Sequence, residues 1–186
     1  MSPTARSRTV PAVAGPGRIL FVIGGAASGK SAVALGLAGR KRPKVFVATG
    51  QGLDDEMAAR IARHRAARPS GWKTEEEPVE LTDWFQRRGH RYRAILLDCI
   101  TLWLSNLRGT GCSDAVVIRK VEQLLWAMRR SGAHVVVVSN ELGMGLIPME
   151  RSGRQFRDLA GRANQLIAGA ADEVYFVVSG LPIRLK

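Results

Sequence analysis

An apolar run, Ile19-Leu20-Phe21-Val22-Ile23, passes without a break into Gly24-Gly25-Ala26-Ala27-Ser28-Gly29-Lys30-Ser31. The second stretch has the form G-x-x-x-x-G-K-S, and an Ala- and Leu-rich segment follows it. Strand, glycine loop and helix in that order leave few folds open. Successive backbone N–H groups can wrap a polyphosphate at the start of a helix, and glycines let the chain approach where a Cβ would not fit. Lys30 is expected to reach the β- and γ-phosphates, and the Ser31 hydroxyl to help coordinate Mg²⁺.

The rest of the chain repeats the same alternation. Continuous apolar runs predict strands at 19–23, 44–48, 94–98, 134–139 and 173–178, the pattern of strands covered on both faces. Helical patterns lie between them at 31–39, 54–67, 79–88, 113–131 and 152–170, with Pro78 suited to a first helical turn. Together they predict an α/β fold: a P-loop NTPase-like, doubly wound, mostly parallel sheet with helices on both faces and right-handed crossovers. A short strand at 182–185 would add an edge. Residues 1–17 carry Arg6, Arg8 and three prolines without an apolar segment, and are expected to form a disordered basic extension. Residues 18–186 then make one domain, which suits a chain of 186 residues.

Composition narrows the function classes. No run approaches the roughly 18 apolar residues of a membrane span. Cys99 and Cys112 lack metal-ligand spacing and make no disulfide framework, which points to the cytoplasm. The net charge of +12 is dispersed and comes without aromatic stacking residues. It implies non-specific affinity for polyanions, including nucleotides drawn to a cleft, and no specific nucleic-acid partner.

In a sheet of this kind ligands gather at the carboxyl ends of the strands. The second strand delivers Thr49-Gly50-Gln51-Gly52. The third delivers Asp98, either a metal partner for Ser31 or the N-cap of a following helix. The fourth delivers Ser139-Asn140-Glu141 and then Gly143-Met144-Gly145, a loop that lies close to a ligand or simply turns the chain. In the helix expected at 54–67, Asp54 and Asp55 are placed to cap the N-terminus. Met57, Ile61 and His64 fall on one face, and Arg60, His64 and Arg68 form a second stripe. Arg60, Arg63, Arg65, Arg68 and Lys73 surround the histidine with positive charge and no carboxylate intervenes. Such surroundings favour neutral imidazole, a competent nucleophile toward phosphorus. Judged from these residues alone, a histidine beside Met57 and Ile61 reads first as a packed side chain, with the nucleophile as the alternative.

Several blocks together resemble the bifunctional adenosylcobinamide kinase / adenosylcobinamide-phosphate guanylyltransferase family, from about Ile19 to Lys186. They are the phosphate loop, Val47-Ala48-Thr49, Asp54-Asp55-Glu56-Met57-Ala58-Ala59-Arg60-Ile61, the run from His64 to Pro69 with Trp72, and Leu96-Leu97-Asp98-Cys99-Ile100-Thr101. Ser139-Asn140-Glu141-Leu142-Gly143-Met144-Gly145 and Phe156-Arg157-Asp158-Leu159-Ala160-Gly161-Arg162-Ala163-Asn164-Gln165 complete the set. The phosphate loop is shared with many enzymes; the other blocks as a set are specific. The resemblance implies a two-step enzyme. A nucleoside triphosphate, ATP or GTP, phosphorylates the aminopropanol hydroxyl of adenosylcobinamide. GTP then delivers GMP through a covalent histidine, giving adenosylcobinamide-GDP and pyrophosphate. It places that histidine at His64, with Lys30 as the other catalytic residue. It places nucleotide contacts at Gly24, Gly25, Ala26, Ala27, Ser28, Gly29, Lys30, Ser31, Thr49, Gly50, Gln51, Arg65, Ala66, Ala67, Arg68, Glu76 and Asp98. Mg²⁺ would sit at Ser31 and Asp98. The resemblance also implies a cytoplasmic homotrimer with its site near a subunit boundary.

The chain departs from the family pattern in three places: Ala27 stands where a basic residue is common, the stretch after Asn106 is shortened, and residues 1–17 have no counterpart. Two other functions fit part of the pattern. A kinase of another small metabolite would keep Lys30 and Asp98 without needing His64. A nucleotide-dependent switch protein would use its basic surface on RNA.

Overall fold

The computed structural model describes residues 16–52, 54–66 and 68–186. The extension expected at 1–17 lies outside the described residues except for its last two; Gly17 there bonds through its N–H to the Arg129 carbonyl at 2.8 Å.

Seven strands form one sheet: β1 (Arg18–Gly24), β2 (Lys44–Ala48), β3 (Lys73–Glu76), β4 (Ala94–Asp98), β5 (His134–Asn140), β6 (Glu173–Val178) and β7 (Leu181–Arg184). Their order is β3-β2-β4-β5-β1-β6-β7. Every pairing is parallel except β6 with β7, the edge hairpin. Between them run α1 (Lys30–Leu37), α2 (Asp55–Ala66), α3 (Leu81–Arg88), α4 (Ile100–Gly109), α5 (Asp114–Ser131) and α6 (Arg151–Ala170). The expected α/β architecture with a mostly parallel sheet is the observed one.

Strand side chains alternate between two apolar layers, which explains the unbroken apolar runs. Ile19, Phe21, Ile95, Leu97, Val135 and Val137 pack in a core with residues of α3, α4, α5 and α6, among them Trp84, Trp103, Leu124 and Ile167. Leu20, Val22, Phe46, Leu96, Val136 and Val138 face the other way, onto Ala34 and Ala38 of α1. Burying a side chain of this size contributes about 1.5–3 kcal/mol each, so the central strands are the most firmly held part of the molecule. Among the described residues no helix is long and apolar enough to cross a membrane.

Three local expectations are corrected. β3 and α4 were not anticipated from sequence. Pro78 does not open a helix: α3 begins at Leu81, and the Glu77 carboxylate accepts from Val79 N and Glu80 N in a preceding turn. Asp98 does not cap α4, whose N-cap is Cys99 without a side-chain bond.

Candidate functional site

The loop after β1 is shaped by close approaches. Gly29 has φ +85°, and a Cβ there would lie 3.0 Å from Gly180 Cα. The same contact is closed by Gly180 N–H donating to the Ser28 carbonyl at 2.8 Å. A Cβ on Gly24 would come 2.6 Å from the Val177 carbonyl oxygen. Ala27 adopts φ +53°, a left-handed conformation unusual for alanine. Gly29 is the N-cap of α1, no side chain caps the helix, and its first turn holds no carboxylate. The positive end of α1 therefore faces the loop without an internal anion, as an anion site requires. Ser28 Oγ is buried with no hydrogen-bond partner among the described residues. Lys30 is buried and curls over its own loop, donating to the Gly25 carbonyl at 3.0 Å.

β4 ends two strands away from β1, yet its last residue meets α1. Ser31 Oγ donates to Asp98 Oδ2 at 2.9 Å. Two hard oxygen donors beside Lys30 suit Mg²⁺, which takes one or two protein oxygens and fills its shell with phosphate oxygens and water. Among the described residues no group of three or more His, Cys, Asp or Glu could hold a metal alone.

These residues open onto a cleft that runs under α2. Its walls include Lys30, Ser31, Asp98, Gly50, Arg65, Arg68 and Glu76, with Phe46, Met57, Ile61, Leu102 and Asn140. A second hollow shares Gly50, Ile61, Arg65 and Glu76 and continues past Gln51 and Gly52 to Pro78. The cations are held in defined positions. Arg65 pairs with Glu76. Arg68 lies over the Phe46 ring, 3.6 Å from its centroid, and donates to Thr74 Oγ1 at 2.7 Å. Burial, and then the Arg65 charge, lower the Arg68 pKa from its ordinary value, while Asp98 and Glu76 act the other way. The Arg68 Nε is buried with no hydrogen-bond partner among the described residues. An anion in this cleft would relieve both conditions.

The helix that carries Arg65, with Arg68 two residues beyond its end, starts where the sequence places it. Asp54 Oδ1 accepts from Met57 N at 2.7 Å, a side-chain N-cap, and Asp55 and Glu56 occupy the first turn. Residue 64 belongs to α2, but the His64 side chain lies outside the described residues, as does all of Ala67. On the helix, position 64 stands seven residues after Met57 and three after Ile61, both of which line the cleft. Ala66 is exposed. Thr49 is fully buried; its hydroxyl donates to the Cys99 carbonyl at 2.7 Å and accepts from Cys99 N at 2.9 Å. Its side chain thus ties the end of β2 to the β4–α4 junction. Burial, reinforced by the Asp98 charge, pushes the Cys99 thiol up to about 12, which makes it an unreactive thiol at neutral pH.

Sequence reasoning did not find Phe46 or Leu102 as parts of the cleft, nor Thr74 as the partner of Arg68. Met57 and Ile61 were on the page only as neighbours of His64. A stacked Arg68 and Phe46 are far apart in sequence, and no local spacing announces them.

A family model described as cobinamide kinase / cobinamide phosphate guanyltransferase matches residues 20–185. The bifunctional adenosylcobalamin biosynthesis protein CobU of Escherichia coli (strain K12) is 39% identical over 180 residues, 90% of this chain and 99% of that protein. The protein of the same name from Salmonella typhimurium is 41% identical over 180 residues, with the same coverage. Among solved structures, a KaiC-like protein from Pyrococcus horikoshii aligns with TM-score 0.52 at 15% identity, over 87% of this chain and 71% of that one, a likeness of fold alone.

Proposed function

The chain belongs to the cobinamide kinase / cobinamide phosphate guanyltransferase family, and from that premise we propose that a single P-loop domain, residues 18–186, carries out both half-reactions in one cleft. The observation that carries this reading is convergence: Lys30 at the end of the phosphate loop, the Ser31–Asp98 pair, Arg65 of α2 and Arg68 just beyond it all line one hollow.

In the first half-reaction the triphosphate of ATP or GTP lies in the loop of residues 24–31. Lys30 and the N-terminus of α1 stabilise charge on its outer phosphates. The hydroxyl oxygen of adenosylcobinamide bonds to the γ-phosphorus, the bond from that phosphorus to its bridging oxygen breaks, and the nucleoside diphosphate leaves. The hydroxyl proton passes to solvent. Mg²⁺, held by Ser31 and Asp98 when bound, supplies charge neutralisation on the phosphates.

In the second half-reaction the His64 imidazole bonds to the α-phosphorus of GTP, and pyrophosphate departs with the bridging oxygen. Arg65 and Arg68, one and four residues further along the chain, stabilise charge on the α-phosphate. A phosphate oxygen of adenosylcobinamide phosphate then displaces the imidazole, which returns to its neutral form as adenosylcobinamide-GDP is released. Gly50, Gln51 and Glu76 border the part of the cleft left for the nucleoside. The bonds of the buried Thr49 hydroxyl to Cys99 support a role for that residue in holding the end of β2 against the β4–α4 junction.

The family resemblance also implies a cytoplasmic homotrimer. Exposed Met144, Leu146, Ile147 and Met149 in the β5–α6 loop support an assembly, as do Leu181, Ile183 and Leu185 at the β7 edge. Such apolar surface is unusual on a monomer. Sedimentation of the purified chain tests this: a single trimeric boundary is expected, and a monomer at micromolar concentration would contradict it.

The function itself is tested with α-labelled GTP and Mg²⁺. The protein should acquire label that is acid-labile and base-stable, and His64→Asn should abolish labelling while still phosphorylating adenosylcobinamide. A folded wild-type protein that takes no label yet phosphorylates a small metabolite would favour a simple kinase.

A further inference from the structure

Because β5 lies between β4 and β1, its last residue ends up between the Mg²⁺-binding pair and the phosphate loop. Asn140 is opposite Gly24, and Asp98 is opposite Val138. The backbone of Asn140 is fixed from three sides. Its N–H donates to Thr101 Oγ1 at 2.8 Å, and its carbonyl accepts from Asn164 Nδ2 at 3.2 Å. The next N–H, of Glu141, donates to the Gly24 carbonyl at 3.0 Å. Thr101 comes from the sequence block that holds Asp98, and Asn164 from the block at 156–165, which the proposed chemistry did not use.

The side chain is differently placed. Asn140 lines the cleft with Lys30, Ser31 and Asp98. Among the described residues its amide nitrogen has one acceptor, the Cys99 sulfur, at 3.9 Å. A thiol sulfur is a weak acceptor, and this thiol is held neutral by its burial. A rigid backbone presenting a weakly engaged amide beside Lys30 is the arrangement of a donor aimed at a ligand.

We infer that Asn140 is a catalytic residue of the phosphorylation half-reaction: its side-chain amide exchanges the Cys99 sulfur for an oxygen of the terminal phosphoryl group of the bound triphosphate. The inference rests on the kinase activity proposed above. The amide donates before, during and after transfer and is itself unchanged. What it adds is a preorganised donor where charge on the moving phosphoryl group is spread over its outer oxygens. An amide serves here better than a carboxylate, since Asp98 already supplies negative charge and a second anion would repel the phosphates.

The test compares wild type, Asn140→Ala and the near-isosteric Asn140→Asp in both half-reactions, using ATP with adenosylcobinamide for one and α-labelled GTP for the other. For Asn140→Ala, kcat of phosphorylation should fall about 10²-fold while KM for the nucleotide stays within about 3-fold. Asn140→Asp, which keeps the shape, should fall further. In Asn140→Ala, labelling by GTP should persist at close to the wild-type rate and the thermal midpoint should hold, whereas in Asn140→Asp the added charge in the shared cradle should slow labelling as well. Phosphorylation within about 3-fold of wild type in Asn140→Ala would overturn the inference, as would an equal fall in both half-reactions together with lost nucleotide affinity. A wild-type protein that phosphorylates no corrinoid would overturn the functional reading, and this inference with it.

Discussion

Gly29 and Gly36 are seven residues apart and respond oppositely to the same change. At Gly29 the left-handed backbone and the Gly180 Cα at 3.0 Å both resist a side chain. Gly29→Ala should lower stability by roughly 1–2 kcal/mol and weaken nucleotide binding, read by thermal unfolding and calorimetric titration. Gly36, an exposed residue inside α1 with nothing within 4 Å of an added Cβ, should gain about 0.5–1 kcal/mol as alanine. Cys99 offers a second check. With its thiol pushed up to about 12, it should resist a thiol reagent at pH 8 in the native protein, while the half-buried Cys112 reacts. Rapid native labelling at Cys99 would mean the β4–α4 junction is open to solvent. Lys30→Ala should depress both half-reactions, since one cradle serves both.

β3 is the element that holds Glu76 against the cleft, and its anchor is the neighbouring Glu75. Burial pulls the Glu75 carboxyl up, but hydrogen bonds from Lys73, Arg88, Tyr92 and Trp84 outweigh it and hold the group at about 2, against 4.5 ordinarily. The folded value is depressed, so the stabilisation is present above about pH 4.5 and is lost as pH falls toward about 2. Lys73 and Arg88 are exposed, and after screening the contribution is roughly 1–2 kcal/mol. Glu75→Gln should therefore be less stable than wild type at pH 7, with the gap narrowing below about pH 4.5 and closing toward about pH 2 in urea unfolding. A gap independent of pH would show that the network does not depend on the carboxylate charge. β3 also marks the limit of what periodicity reveals. Lys73-Thr74-Glu75-Glu76 is an edge strand of polar residues, with no apolar run to betray it. α4 follows β4 after a single residue, and its apolar Ile100, Trp103, Leu104 and Leu107 merge with the strand signal. The five strands with continuous apolar runs, and the capped start of α2 at Asp54, were legible because each carries its own local signal. In the cleft, Lys30, Ser31 and Asp98 were legible for the same reason. Arg68 on Phe46, and Asn140 between Lys30 and Asp98, depend on strand order, which no local pattern specifies.

The proposed chemistry lies at one end of a parallel sheet, in a cleft whose lining includes Lys30, Arg65 and Arg68. A net charge of +12 should speed the encounter with nucleotide anions, and the association rate should fall steeply as salt rises. A salt-independent rate would mean the excess charge lies away from the cleft. Strand order brings three sequence-distant blocks, after β1, β4 and β5, to one hollow, and α2 spans it with residue 64 on its last turn. Everything proposed about nucleotidyl transfer depends on that imidazole receiving GMP. Treating the folded protein with GTP and Mg²⁺, digesting it at alkaline pH and locating the modified peptide by mass spectrometry settles the point. GMP bound to His64 is the expected result; GMP on another residue, or an unmodified peptide from a protein that still phosphorylates adenosylcobinamide, would contradict it.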